Sequence, residues 1–168
     1  GTMGYGLPSA IGAALGNPGA EIVTIAGDGG FQMNSQELAT AVVNELPITI
    51  CVLNNGYLGM VRQWQHLFGG KVYAGTCLRK RRNLCQQCHG RDKTCPPYVP
   101  DFVQLAEAYG AKGMRVFEAS EIEPALKAAR KNKTGPTLIE FIIEDEDLVI
   151  PMIRPNGAIT DLITDISE

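Results

Sequence analysis

The sequence is short of net charge and of long apolar runs. Fifteen basic residues against 18 acidic ones leave −3 over 168 residues. That is too little to argue for a nucleic-acid partner, since no broad basic surface follows from it. No apolar stretch approaches the roughly 18 residues that span a bilayer, and the first residues lack a charged start followed by an apolar segment. The expectation is a soluble, cytoplasmic protein without a membrane partner. A phosphate loop of the Gly-x-x-x-x-Gly-Lys type is missing, and Gly27-Asp28-Gly29 lacks the third glycine of a dinucleotide fingerprint, which weighs against a non-catalytic nucleotide or regulatory module. Internal repeats and low-complexity segments are absent too. So is an initiator methionine. Gly1-Thr2-Met3-Gly4 reads as a loop following an earlier strand, which predicts an amino-terminally truncated fragment of a larger subunit.

What is present suits one domain over residues 1–168. The composition is 45% hydrophobic and 20% charged, enough for a sizeable core. Small and apolar residues from Gly6 to Leu15 recur at helical spacing until Asn17-Pro18-Gly19 stops them. Glu21 to Ala26 and Leu46 to Leu53 are apolar runs of strand length. Between them, Asn34-Ser35-Gln36-Glu37 has the form of a capped helix start leading into Leu38, Ala41, Val42 and Leu46. Helices are also predicted over Leu58 to Phe68, 101–109 and Glu121 to Lys131, with strands at Gly113 to Phe117 and Thr137 to Ile143. The alternation of strand and helix predicts an α/β fold, a doubly wound parallel sheet with helices on both faces. The acidic run Glu144 to Asp147 is read as a solvated turn.

Two strand ends carry the chemistry. Gly27-Asp28-Gly29 closes the first apolar run and Asn54-Asn55 closes the second, with residues 30 to 53 between them. In open parallel sheets ligands bind outside the carboxyl ends of the strands. Asp28 offers a carboxylate, Asn55 an amide oxygen, and the main chain beyond it carbonyl oxygens, a donor set suited to magnesium shared with a substrate phosphate. Glycine lets backbone approach such a phosphate closely. A lone Gly-Asp-Gly would be an ordinary turn. The spaced Asn-Asn makes it more specific.

This spacing resembles the cofactor motif of thiamine diphosphate enzymes. The run Leu53-Asn54-Asn55-Gly56-Tyr57-Leu58-Gly59-Met60-Val61-Arg62-Gln63-Trp64-Gln65 narrows the resemblance to the acetolactate synthase (acetohydroxyacid synthase) catalytic large subunit, as its carboxyl-terminal thiamine diphosphate-binding domain. Phe31-Gln32-Met33-Asn34, Pro100-Asp101-Phe102, Leu105 to Gly110 and Pro151-Met152 extend the match.

The resemblance implies thiamine diphosphate and Mg2+ as cofactors. Asp28, Asn55 and the carbonyl of Tyr57 would hold the metal, and backbone around Gly27, Gly29 and Gly30 the diphosphate, helped by the next helix start. The carbonyl of Gly1 would accept a hydrogen bond from the aminopyrimidine, Met3 would support the bent cofactor, and Met33 would pack beside it. Met60 and Trp64 would shape the pocket for the second oxoacid. Methionine and tryptophan at helical spacing are ordinarily core, but their alignment with the motif favours the functional reading. The implied reaction decarboxylates pyruvate and joins the hydroxyethyl unit to a second pyruvate or to 2-oxobutyrate, in branched-chain amino acid biosynthesis. A glutamate from a second catalytic subunit, in a homodimer or tetramer, would complete the site. A domain outside this chain would bind FAD, and a regulatory small subunit would be a further partner. Other thiamine diphosphate enzymes of 2-oxoacids, namely a pyruvate oxidase, a decarboxylase or a ferredoxin-linked oxidoreductase, are the rival readings.

Residues 77–99 depart from that pattern as a basic, cysteine-rich insert. Cys77, Cys85, Cys88, His89 and Cys95 allow a zinc site, a redox or disulfide pair, or free thiols in a flexible loop. Arg79-Lys80-Arg81-Arg82 is read as a solvated face that could also meet phosphate or act in a lid.

Overall fold

The computed structural model describes residues 1–79, 100–144 and 147–165. Helix α1 (Gly6–Gly16) precedes strand β1 (Ile22–Gly27), which runs straight into a short helix α2 (Asp28–Gln32). Then come α3 (Leu38–Val43), β2 (Ile48–Asn54), α4 (Gly59–Phe68), α5 (Phe102–Ala108), β3 (Lys112–Val116), α6 (Ala119–Lys131) and β4 (Thr137–Ile142). A hairpin of β5 (Met152–Ile153) and β6 (Leu162–Ile163) follows. The four long strands pair in parallel in the order β1-β2-β4-β3. The central strands β2 and β4 are buried along nearly their whole length, as their continuous apolar runs require.

The two faces are covered unequally. Leu7 and Ile11 of α1, Leu38 and Ala41 of α3, and Phe102 and Ala106 of α5 pack with Ile48, Ile50, Val52 and Leu138 in the main core. On the other face, Ala125 and Ala129 of α6 meet Cys51, Ile139, Phe141 and Val116. Helices therefore lie on both faces, as predicted, but Val23 and Ile25 on β1 remain 49% and 69% exposed. Helix α6 is closed by a capping box in which Glu121 accepts from the Phe117 and Glu118 amides.

One predicted start differs. Ser35–Glu37 forms a 3-10 turn ahead of α3, and Asn34 makes no side-chain cap. Its Nδ2 instead donates to the Gly4 carbonyl at 2.8 Å. That tertiary bond ties the amino-terminal loop to the turn ahead of α3, while the Asn34 Oδ1 lies 3.4 Å from Gln36 Nε2. The hairpin β5–β6 and the short α2 carried no periodic signal, because neither is long enough to show one.

Candidate functional site at the carboxyl ends of the strands

The parallel register pairs Gly27 with Leu53, so the end of β1 lies beside the end of β2. Asp28 follows directly and is 3% exposed. Its Oδ1 accepts from the Gly29 amide at 2.7 Å and its Oδ2 from the Gly56 amide at 2.8 Å. The first motif is thereby bonded to the second. Burial pushes the Asp28 carboxyl up to about 6, against the opposing pull of the Gly29 and Gly56 amides and the Arg79 charge.

The two asparagines divide their work. Asn54 is buried and structural: its Oδ1 shares the Gly56 amide at 2.9 Å, and its Nδ2 donates to Glu140 Oε1 at 2.6 Å. Asn55 is half-buried and accepts from the Tyr57 amide at 3.0 Å, an Asx turn that bends the chain toward α4. Gly56 takes a φ of 77° in that turn. Carboxylate, amide oxygen and main-chain carbonyls thus converge at one sheet edge.

A methyl group added to Gly29 would lie 2.6 Å from Leu58 Cδ2, 3.1 Å from Met3 Cε and 3.3 Å from Leu78 Cδ1, so the ends of these three side chains close over its backbone. Around Gly27 and Gly30 the space is open. Both border a cavity of about 230 Å³, lined also by Met3, Tyr5, Phe31 and Asn34. This cavity adjoins Asp28 rather than containing it. Met3, Met33, Met60 and Trp64 are 48%, 51%, 49% and 44% exposed, so none is a core residue. Gly1 lies exposed at the start of the loop that carries Met3. Cys77 pairs with Tyr57 in an isolated bridge and carries a free thiol. Cys85, Cys88, His89 and Cys95 lie outside the described residues, and among the described ones no group of three or more His, Cys, Asp or Glu could hold a metal.

Two features escaped the sequence reading. Glu140 sits 2% exposed in the apolar strand β4, bonded to Asn54 and to Arg115 Nε at 2.7 Å. Arg115 in turn reaches Asp101, the cap of α5, at 2.7 Å. A lone carboxylate in a central strand was the available signal, since a buried charge needs partners. Gln63 on α4 donates to the Val149 carbonyl at 2.9 Å and accepts from its amide at 2.8 Å, clasping the carboxyl-terminal segment. Arg79, read from the sequence as part of a solvated face, is instead half-buried against Gly56, its Nη2 3.4 Å from the Asn55 carbonyl.

With that geometry in place, comparison with known proteins is decisive. Residues 1–141 match the family described as thiamine pyrophosphate enzyme, C-terminal TPP binding domain. The chain belongs to this family. Its relatives within the thiamine diphosphate-binding family include an acetolactate synthase large subunit of Corynebacterium glutamicum, 43% identical over 96% of this chain and 24% of that protein. A probable acetolactate synthase large subunit of Methanococcus aeolicus is 40% identical over 100% of this chain and 25% of that protein. Among solved structures, a thiamine diphosphate-dependent 4-hydroxybenzoylformate decarboxylase of Rhodococcus jostii RHA1 superposes with a TM-score of 0.69 at 30% identity, over 86% of this chain and 24% of that one. The chain spans about a quarter of the length of the relatives it matches. No helix among the described residues is long and apolar enough to cross a membrane.

Proposed function

We propose that this chain is the cofactor-binding domain of an acetolactate synthase large subunit, which decarboxylates pyruvate and joins the two-carbon unit to a second pyruvate or to 2-oxobutyrate. The observation that carries it is identity of 40% and more, over nearly the whole chain, to proteins bearing that name. Asp28, Asn55 and the Tyr57 carbonyl hold Mg2+, and their all-oxygen donor chemistry fits a hard cation. Backbone around Gly27, Gly29 and Gly30 would hold the diphosphate, in keeping with the open space beside Gly27 and Gly30.

Thiamine diphosphate, when bound, supplies the nucleophilic carbon and the electron sink. The residues of this chain position it. The Gly1 carbonyl would accept from the aminopyrimidine, Met3 would support the cofactor, and Met33 would pack alongside. Met60 and Trp64 exclude water and shape the pocket for the second oxoacid. Their half-exposed state supports this role, because side chains awaiting a ligand or a partner surface are not covered by their own fold. A glutamate that completes the site would come from a second catalytic subunit. FAD is bound outside this chain, a regulatory small subunit is a further partner, and the enzyme is cytoplasmic.

The test is the product formed from pyruvate by the full-length subunit. Acetolactate supports the reading, while acetaldehyde, acetyl phosphate or acetyl-CoA overturns it. Likeness to a 4-hydroxybenzoylformate decarboxylase favours a simple decarboxylase as the second reading, and the same assay separates the two. The 168-residue chain alone is expected to form no acetolactate.

A further inference from the structure

The start of the divergent segment is built into the site. Leu58 donates its amide to the Thr76 carbonyl at 2.8 Å, and Leu78 donates its own to the Gly56 carbonyl at 2.9 Å. Between them Tyr57 pairs with Cys77 in antiparallel fashion. Residues 76–79 are therefore laced along the turn that carries Asn55 and Tyr57. Leu78 reaches Gly29, and the next residue, Arg79, lays its guanidinium across Gly56. A methyl group there would lie 2.6 Å from Nη2 and 2.8 Å from Cζ and Nε. The charge of Arg79 acts on Asp28. Its Nη2 contact to the Asn55 carbonyl is long, at 3.4 Å, and its Nε is buried with no acceptor among the described residues. A buried donor without an acceptor is costly. It marks a place where an acceptor belongs.

We propose that Arg79 is a resident cation of the Asp28–Asn55 site, shielding these oxygens when the site is empty and turning its donors onto the cofactor's diphosphate when it is filled. This rests on the metal-site reading above. The physical reason is sign. A fixed positive charge beside Asp28 repels a divalent cation arriving alone, whereas the negative charge of a diphosphate would attract both cations. Planar guanidinium donors suit phosphate oxygens. Metal and diphosphate should then bind cooperatively, with Arg79 as the coupling element.

The experiment measures Mn2+ affinity by electron paramagnetic resonance in the intact protein carrying this chain, with and without thiamine diphosphate. For Arg79→Gln, Mn2+ alone is expected to bind about tenfold tighter, as loss of a nearby like charge implies. Thiamine diphosphate in saturating Mg2+, followed by tryptophan fluorescence, is expected to bind about tenfold more weakly. Arg79→Lys keeps the charge, so its affinity for Mn2+ alone stays at the wild-type level even if Arg79→Gln folds poorly. Unchanged or weaker binding of Mn2+ alone to Arg79→Gln, or tightening in Arg79→Lys, overturns the proposal. Failure of the underlying site reading looks different: wild-type protein would then bind thiamine diphosphate without metal dependence, and Asp28→Asn would leave Mn2+ affinity unchanged.

Discussion

Asp28 is the group whose chemistry the fold alters most. Its carboxyl is raised from 3.8 to about 6 by burial, so between those values the folded chain holds a proton that the unfolded chain has released. Stability of the metal-free protein therefore falls as pH rises through that window. A divalent cation needs the ionised carboxylate, so its stabilising effect should grow across the same range and fade below about pH 6. Thermal melts with and without Mg2+ from acid to neutral pH check this. A Mg2+ effect that persists undiminished in acid, or that survives Asp28→Asn, would contradict it. Glu140 offers a second test. Glu140→Ala strands Asn54 and Arg115 and should cost about 3 kcal/mol in urea unfolding. Arg115→Ala should cost less, because its side chain is 31% exposed and water can replace part of what is lost.

Helix α4 is turned inside out relative to an ordinary surface helix. Arg62 and Gln63 are buried, while Met60, Val61, Trp64 and Phe68 are between 38% and 51% exposed. Arg62 lies over the rings of Tyr57 and Tyr73, at 4.8 and 4.6 Å from their centroids. Periodicity located this helix but not its facing, because the polar side chains go inward to specific partners outside the helix. The Gln63 clasp on Val149 is one of these. Gln63→Ala leaves a main-chain amide and carbonyl without partners, at about 2 kcal/mol. Faster proteolytic cleavage within 147–165 than in the wild type is the expected readout, and equal cleavage rates would show that the clasp does not hold this segment.

Across the sheet, the uneven cover leaves β1 apolar toward solvent at Val23 and Ile25. Exposed apolar surface on an edge strand favours association. The chain as given should self-associate with rising concentration in sedimentation experiments. Ile25→Asp should weaken that association while shifting the melting temperature little, since a 69% exposed side chain contributes little to folding. Undiminished association in Ile25→Asp would place the contact elsewhere.

Local pattern was sufficient for the strand–helix alternation, because apolar runs and their stops are properties of neighbouring residues. It was sufficient also for Gly27-Asp28-Gly29 and Asn54-Asn55, since both terminate strands and parallel pairing brings such ends to one edge. Their actual meeting, through the Gly56 amide bonded to Asp28 at 2.8 Å, depended on β1 and β2 being neighbours in register. Partners such as Glu140 for Asn54, Val149 for Gln63 and Arg79 for the Asn55 turn lay 86, 86 and 24 residues away. No local period encodes such distances. Only the packed sheet, by excluding water from these polar groups and obliging each to find a partner, decided them.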